Sequence, residues 1–277
     1  MEKLYRLVQA DGFSFKSFGL TFGVRTNHPL AIDMIRAHLP PGSSVLKVQA
    51  VDRLYSFFLP NSARQVWARP FHLLYGNAQT LAKTHSDAEL LEVFETDLNL
   101  HIATATERLF FIHAGVVAWK GKAIVIPGSS YTGKSTLVGE FLRQGATYYS
   151  DEFAVFDPRG YVHPFPKPLG IRMGADQKQT RVSPAQYGCA VGMKPIRLGL
   201  ILFTRYLPSA RWRPKVISPG KAALNLLQHS FSVRERPEAA FAFADKVTRR
   251  TRVLVGPRGE AKDLVRVVCQ EADLEKG

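Results

Sequence analysis

Residues 108–156 read RLFFIHAGVVAWKGKAIVIPGSSYTGKSTLVGEFLRQGATYYSDEFAVF. Two runs rich in β-branched and aromatic residues flank Trp119–Lys122 and predict a β-hairpin. The second run, Ala123–Ile126, leads into a glycine-rich loop, after which apolar residues recur at helical spacing as far as Gly145. A strand, a glycine loop and a helix in this order predict an α/β fold built around a phosphate-binding loop.

The loop itself, Gly128–Ser135, has the sequence GSSYTGKS and fits G-x-x-x-x-G-K-[ST] at every fixed position. Glycines let backbone N–H groups converge on phosphate oxygens, and the start of the following helix adds partial positive charge. We expect Lys134 to reach the β- and γ-phosphates of a nucleoside triphosphate and the Ser135 hydroxyl to ligate Mg²⁺. The predicted nucleotide-binding residues are Gly128, Ser129, Ser130, Tyr131, Thr132, Gly133, Lys134, Ser135 and Thr136.

Residues 146–156 have a strand pattern that is interrupted by Ser150-Asp151-Glu152, which contains an acidic pair. It follows the loop helix after one short connection, so it can lie beside the phosphates. One carboxylate could hold Mg²⁺ and the other could take a proton from an incoming hydroxyl group, whereas an exposed acidic turn is the alternative. His113 lies in the apolar run before the loop, where spacing alone favours a hydrogen-bonded core histidine.

The composition excludes several classes of protein. The chain has 277 residues, of which 45% are hydrophobic and 22% charged, so it can bury a core and is not mostly disordered. Its two cysteines cannot form a disulfide framework, and they lack further metal-ligating residues at the spacing of a zinc cluster. No run resembles a signal peptide or a membrane span. We therefore expect a soluble cytoplasmic protein without a membrane partner.

Residues 1–100 carry no chemical motif and are predicted to form a small α/β scaffold or docking domain. Ser86 and Glu89 match a capping box before a helix, and residues 84–107 hold six acids and no Lys or Arg. An acidic face of this kind is typically solvated, and no function is assigned to it. A further helix is predicted over Leu30–Leu39, and strands are predicted around Phe18–Val24, Val45–Val51, Leu54–Leu59 and Phe71–Leu74.

Taken together, His113-Ala-Gly, the hairpin, GSSYTGKS, a helix ending at Gly145 and Asp151-Glu152 resemble the catalytic domain of HPr kinase/phosphorylase. They are more similar still to HPr-kinase-related proteins such as the lasso-peptide precursor kinases. The resemblance covers roughly residues 107–275 and is strongest over 108–172. It implies an HPr kinase/PEP carboxykinase-like P-loop kinase domain over residues 101–277, preceded by the small N-terminal α/β domain.

The resemblance also implies ATP and Mg²⁺ as cofactors and phosphate transfer to a serine of a peptide or small protein. The catalytic residues that match are His113, Lys134, Asp151 and Glu152. Glu152 inherits the role of base, assisted by His113, while Asp151 joins Ser135 on the metal side. The family has two aspartates where this chain has Asp-Glu, which leaves the division of roles between the two carboxylates open.

The sequence departs from the bifunctional enzymes in two places. They have Glu directly after the P-loop serine, where this chain has Thr136, and their later metal-binding Glu has no counterpart near Lys167–Arg172. Phosphorylase activity is therefore not expected. Arg172 is a candidate contact to phosphate or acceptor, and His163–Pro168 is either a border of the acceptor groove or a structural connector.

The positive charge is concentrated after these motifs. The net charge is +14, and residues 177–234 hold ten Lys or Arg and no acid. This charge could clamp phosphates, attract an acidic peptide, bind nucleic acid or be a generic solvated face; we favour the peptide because no nucleic-acid motif accompanies it. The predicted function is thus that of a serine kinase acting on a peptide or small protein, with a lasso-type precursor peptide as one candidate. The alternatives are an ATP-sensing regulatory module, a nucleic-acid-associated NTPase and a small-molecule kinase, and a homo-oligomer is left open.

Overall fold

A computed structural model describes residues 11–48, 50–60, 71–129, 132–172 and 179–274. The chain is of mixed α/β type and divides into two compact units, Met1–Thr106 and Glu107–Gly277. None of the described helices is long and apolar enough to cross a membrane. Both cysteines are free.

The first unit is built on a six-stranded sheet in which β2 (Leu20–Thr26) and β4 (Arg53–Phe58) are parallel, while all other neighbouring strands are antiparallel. Helix α1 (Ala31–Arg36) and the short β3 lie in the crossover between β2 and β4. In order across the sheet, the strands are β3 (Ser44–Leu46), β1 (Asp11–Ser17), β2 (Leu20–Thr26), β4 (Arg53–Phe58), β5 (His72–Gly76) and β6 (Gln79–Thr84).

The strand predicted around Phe18–Val24 begins two residues too early. Phe18 and Gly19 form the turn between β1 and β2, with φ of 49° and 93°. The prediction failed there because an aromatic residue before a strand has the composition of the strand itself. Strands β1 and β6 were not predicted, and position 49 of the predicted Val45–Val51 strand lies outside the described residues.

Helix α2 (Asp87–Ala105) covers β5 and β6. The Ser86 hydroxyl accepts a hydrogen bond from the Glu89 N–H at 3.3 Å, which confirms the predicted cap. The apolar side of the helix is fully buried at Leu90, Phe94 and Leu98. The boundary predicted after residue 100 falls within the last turns of α2, whereas the first unit ends at Thr106.

The acidic residues of α2 form a solvated face only in part: Glu92 is exposed as expected, whereas Glu95 and Asp97 are half-buried and have partners. Glu95 lies 2.6 Å from His38 Nδ1. Asp97 lies 2.8 Å from an Arg53 nitrogen and accepts a hydrogen bond from the Tyr55 hydroxyl at 2.7 Å. These carboxylates tie the helix to the rest of its unit, a purpose that charge counting along the sequence does not reveal.

The second unit is built on an eight-stranded sheet in which β8 (Lys122–Pro127), β14 (Ile196–Tyr206) and β16 (Arg252–Arg258) are parallel. Strand β11 pairs with both β10 and β14, so the five strands β11, β10, β7, β8 and β14 form a closed ring. A separate two-stranded sheet is formed by β12 (Leu169–Arg172) and β13 (Gln179–Val182). The strands of the large sheet are β7 (Phe110–Trp119), β8 (Lys122–Pro127), β9 (Thr147–Ser150), β10 (Phe153–Phe156), β11 (Tyr161–His163), β14 (Ile196–Tyr206), β15 (Lys215–Val216) and β16 (Arg252–Arg258).

Helices cover both faces of this sheet. Helices α3 (Lys134–Arg143) and α6 (Ala261–Leu274) pack on one face, while α4 (Pro219–Leu227) and α5 (Pro237–Arg249) pack on the other. Successive residues of β7 alternate between these two cores because side chains of a strand point to opposite faces. Helix α5 was not predicted, whereas the hairpin and α3 were.

Candidate nucleotide site

The glycine loop begins where β8 ends. Lys120 and Gly121 form the hairpin turn with positive φ, and the β7–β8 register that follows pairs Ala114 with Pro127. Gly128 then donates its N–H to the His113 carbonyl at 3.3 Å. The hairpin therefore fixes the first loop residue against β7, at the edge where parallel strands β8, β14 and β16 end.

Two glycines shape the loop. A Cβ on Gly128 would lie 2.6 Å from Thr132 Oγ1, and Gly133 has φ of 81°, a conformation that other residues rarely adopt. The Thr132 hydroxyl donates to the Ser129 carbonyl at 2.8 Å. The predicted contacts of Ser130 and Tyr131 lie outside the described residues.

Lys134 is buried directly after the loop. Its side chain is 7% exposed, and Nζ donates to the Ser129 carbonyl at 2.8 Å. Burial lowers the pKa of Lys134 to about 8, although the charges of Asp151 and Glu152 oppose the shift. Those two carboxylates therefore lie within electrostatic reach of the ammonium group.

The acidic pair leaves the sheet as a bulge. Strands β9 and β10 both run antiparallel to β7, and residues 151–152 stand between them. The Ser150 hydroxyl accepts from the N–H groups of Glu152 and Phe153 at 3.2 and 3.0 Å, and the Glu152 carbonyl accepts from the Ala114 N–H at 3.2 Å. The predicted interruption of a strand is confirmed, and Ser150 is the residue that holds it open.

Asp151 has one satisfied and one unsatisfied oxygen. Oδ2 accepts from the Gly170 N–H at 3.0 Å, whereas the buried Oδ1 has no hydrogen-bond partner within the described part of the chain. Burial raises the pKa of Asp151 to about 6; the Ser135 hydroxyl, the Gly170 N–H and the Lys134 charge oppose the rise. A buried carboxylate oxygen without a donor is a group that a cation can satisfy.

Gly115 makes the close approach of these groups possible. A Cβ at this position would lie 2.5 Å from Val138 Cγ2 and 4.0 Å from Asp151 Oδ1. Any side chain would therefore push α3 away from β7 and narrow the space in front of the carboxylate. The sequence marks this residue only as the glycine that follows His113-Ala.

His113 lies two residues before Gly115, on the same face of β7. It pairs in register with Phe153, and its N–H donates to the His229 carbonyl at 2.8 Å. Burial, followed by the charges of Lys134 and His229, lowers the pKa of His113 to about 4. The imidazole is therefore neutral at neutral pH, so it can accept a proton or a hydrogen bond but adds no charge.

The structure brings His113, Lys134, Ser135, Asp151 and Glu152 close to one another. Thr136 is exposed on α3. Arg172 ends β12, and its side chain lies outside the described residues.

Three further residues at the site were not predicted: Gly170, His229 and Arg258. Gly170 acts through its backbone, which leaves no signal in a side-chain pattern. Arg258 ends β16 beside Gly133. A sequence-level signal existed for Arg258, because ligands of parallel sheets bind outside the carboxyl ends of the strands.

Residues 163–168 act as a connector. The Phe165 N–H donates to the Tyr149 carbonyl at 2.9 Å, and the Tyr148 hydroxyl donates to the Lys167 carbonyl. These hydrogen bonds hold the segment against β9, and the strand that follows places the Gly170 N–H next to Asp151. Of the two interpretations left open for His163–Pro168, these contacts favour the structural one.

The donor set suits Mg²⁺. Within the described ranges, no three His, Cys, Asp or Glu side chains could hold a metal ion by themselves. Magnesium does not require such a cage, because it commonly takes one or two carboxylates and completes its shell with water and substrate phosphates. The unpartnered Asp151 Oδ1 and the neighbouring Ser135 hydroxyl fit that requirement.

Comparisons with known proteins identify a likeness to solved structures. No protein-family model and no curated protein matches the chain. Among solved structures, the Hpr(Ser) kinase/phosphatase from Coxiella burnetii is similar with 13% sequence identity and a TM-score of 0.32, over 60% of this chain and 97% of that one.

Proposed function

We propose that this protein is an ATP- and Mg²⁺-dependent kinase that transfers the γ-phosphate to a serine hydroxyl of a peptide or small protein. The observation that carries the proposal is the meeting of a buried P-loop lysine with two carboxylates, one of which has an unpartnered oxygen. A site that only stored a nucleotide would have no need for a second carboxylate beside the lysine. A phosphotransferase needs a phosphate-binding charge, a metal ligand and a proton acceptor.

In this proposal Lys134 and the loop amides hold the β- and γ-phosphates, and Asp151 with Ser135 would hold Mg²⁺. Bound Mg²⁺ would neutralise charge on the phosphates. Glu152 takes the proton from the seryl hydroxyl. The seryl oxygen forms its bond to the γ-phosphorus while the bond from that phosphorus to the bridging oxygen of the β-phosphate breaks, which leaves ADP.

His113 has a supporting place in this scheme. It is neutral because burial lowers its pKa to about 4, and it lies beside the bulge that carries Glu152. A neutral imidazole next to the base does not repel the incoming proton. We infer that His113 orients the Glu152 carboxylate or relays its proton and does not supply positive charge.

The acceptor is proposed to carry acidic residues. Arg211, Arg213 and Lys215 are exposed at alternate positions, while Trp212 and Pro214 between them pack against Gly256 of β16. In an extended segment such alternation places all three cations on one side. None of the three has a carboxylate partner among the residues that the structure describes, so an acidic peptide would meet available charge.

The function is tested by transfer from ATP to the small proteins and precursor peptides encoded by neighbouring genes, followed by intact-mass analysis. We expect the wild type to add one phosphate to one of them and Lys134→Ala to add none. Lys262→Ala, which alters an exposed lysine of α6, is the matched control and should transfer normally. Normal transfer by Lys134→Ala would refute the assignment, and ATP binding without transfer to any candidate would favour the ATP-sensing alternative.

A further inference from the structure

Arg258 is a buried cation that the scheme above does not use. It is the last residue of β16, and its side chain is 3% exposed. Because β16 is parallel to β14 and β14 to β8, this residue comes to the same edge of the sheet as the phosphate loop. An arginine is almost never buried to this extent without a partner of opposite charge.

The contacts of Arg258 are with backbone and an aromatic ring. Nη2 donates to the Gly133 carbonyl at 3.2 Å, and Nη1 donates to the Gly259 carbonyl at 2.9 Å. The guanidinium carbon lies 5.3 Å from the centre of the Tyr206 ring. Nε is buried without a hydrogen-bond partner, and no carboxylate in the described ranges lies within ion-pair distance of Arg258.

The surroundings compensate this positive charge only in part. Burial lowers the pKa of Arg258 and the charge of Glu260 opposes the shift, while the Glu260 carboxylate also accepts a hydrogen bond from the Tyr206 hydroxyl at 3.3 Å. Moving a cation out of water is unfavourable unless an anion or several acceptors replace the lost hydration. Two carbonyl groups and one ring face supply part of that replacement, and a bound anion would supply the rest.

Gly133 has a second reason to be glycine. In addition to its positive φ, a Cβ there would lie 2.3 Å from Arg258 Nη2. The arginine therefore occupies the space that a side chain at the end of the phosphate loop would fill. Arg258 and the residue directly before Lys134 are packed as one unit.

We propose that Arg258 is a positioning residue of the nucleotide site. Its side chain holds the Gly133 carbonyl so that the loop amides face the phosphates, and the β- and γ-phosphates balance its charge. The inference rests on the proposed function only in requiring that the chain binds a nucleoside triphosphate. It assigns a role to a residue about 120 positions beyond the loop in sequence, which no motif includes.

Titration of the full chain with ATP and Mg²⁺, and separately with AMP, tests this role in Arg258→Met and Arg258→Lys. Loss of a charge-assisted contact should weaken ATP binding by Arg258→Met roughly 10- to 100-fold. AMP lacks both phosphates and should be affected much less. Arg258→Lys should recover part of the loss, because it keeps the positive charge.

Arg236 provides the matched control. It is half-buried, its two Nη groups donate to the carbonyls of Glu107 and Leu109, its guanidinium lies 5.3 Å from the centre of the Phe110 ring, and its Nε also has no partner. Arg236→Met should therefore keep wild-type affinity for ATP whatever it does to stability.

Equal ATP binding by Arg258→Met and the wild type would overturn the inference while leaving the proposed function intact. Equal weakening for ATP and AMP together with a lower melting temperature would also overturn it, since that is the result of a purely structural arginine. A wild type that bound no ATP at all would overturn both proposals.

Discussion

Carboxylates in the two units of this chain stand in opposite situations. Asp97 in the first unit contacts Arg53 and the Tyr55 hydroxyl, so each of its oxygens has a donor. Asp151 in the second unit keeps one buried oxygen without a donor. Both are half-buried aspartates in well-packed surroundings.

The difference teaches how to separate structural from functional acids. A carboxylate whose donors come from neighbouring strands and helices stabilises the fold, and removing it leaves buried donors unsatisfied. A carboxylate that remains partly unsatisfied weakens the fold and persists where a ligand completes its environment. Burial alone does not distinguish the two cases, but the count of donors does.

The largest expected effect is on phosphate transfer by Asp151→Asn. An amide oxygen is a poor ligand for Mg²⁺ and carries no charge, so transfer should fall about 100- to 1,000-fold. Because the charge that is removed is unfavourably buried, the second unit should be no less stable than in the wild type. Transfer rates and amide hydrogen exchange, which reports on each unit separately, measure the two outcomes.

Asp263→Asn is the control for this variant, since Asp263 is an exposed residue of α6. It should leave transfer unchanged. The comparison between the units would fail if Asp151→Asn unfolded the second unit, since Asp151 would then be a structural acid like Asp97.

The proximity of these residues was predictable from the sequence because it is local. A loop of eight residues, its lysine and an acidic pair that follows one helix later are all read from a single stretch of chain. Strand, loop and helix also enforce their own order, so the positions of Lys134 and Asp151 relative to β8 follow from few assumptions.

What could not be predicted depends on contacts between distant segments. Gly170 reaches Asp151 through a backbone N–H, and Arg258 reaches Gly133 across 125 positions. Likewise, Glu95 and Asp97 of α2 have donors on residues that precede them by about 40 to 60 positions. Periodicity identifies which face of an element is buried, but it does not identify the partner of a polar group on that face.

A smaller effect, on stability, is expected from Asp97→Asn. Its carboxylate holds Arg53 and the fully buried Tyr55 hydroxyl, and losing the charge weakens both contacts. We expect the free energy of unfolding of the first unit to fall by about 2 to 3 kcal/mol. Hydrogen exchange in α2 measures this loss, and nucleotide binding should not change.

Glu92→Gln is the matched control on the same helix. Glu92 is exposed. Its substitution should alter the unfolding free energy by less than about 0.5 kcal/mol. If both variants had the same small effect, the donors around Asp97 would not stabilise the unit, and donor count would lose its value as a criterion.

The smallest expected effect is a pH dependence that distinguishes Asp151 from ordinary acids. Burial raises its pKa from 3.8 to about 6, so the folded chain holds the proton more tightly than the unfolded chain does. As pH rises from about 4 to about 6 the unfolded chain releases this proton first, and the free energy of unfolding of the second unit falls. The penalty is complete above about pH 6 and absent below about pH 4.

Asp151→Asn lacks this penalty, so its unfolding free energy should exceed that of the wild type by about 1 to 2 kcal/mol more at pH 7.5 than at pH 4.5. Urea unfolding followed by hydrogen exchange at both pH values gives this difference, and contributions from all other titrating groups largely cancel between the two proteins. A difference that vanished or reversed between the two pH values would mean that Asp151 is satisfied in the folded chain, and the contrast between the two units would no longer hold.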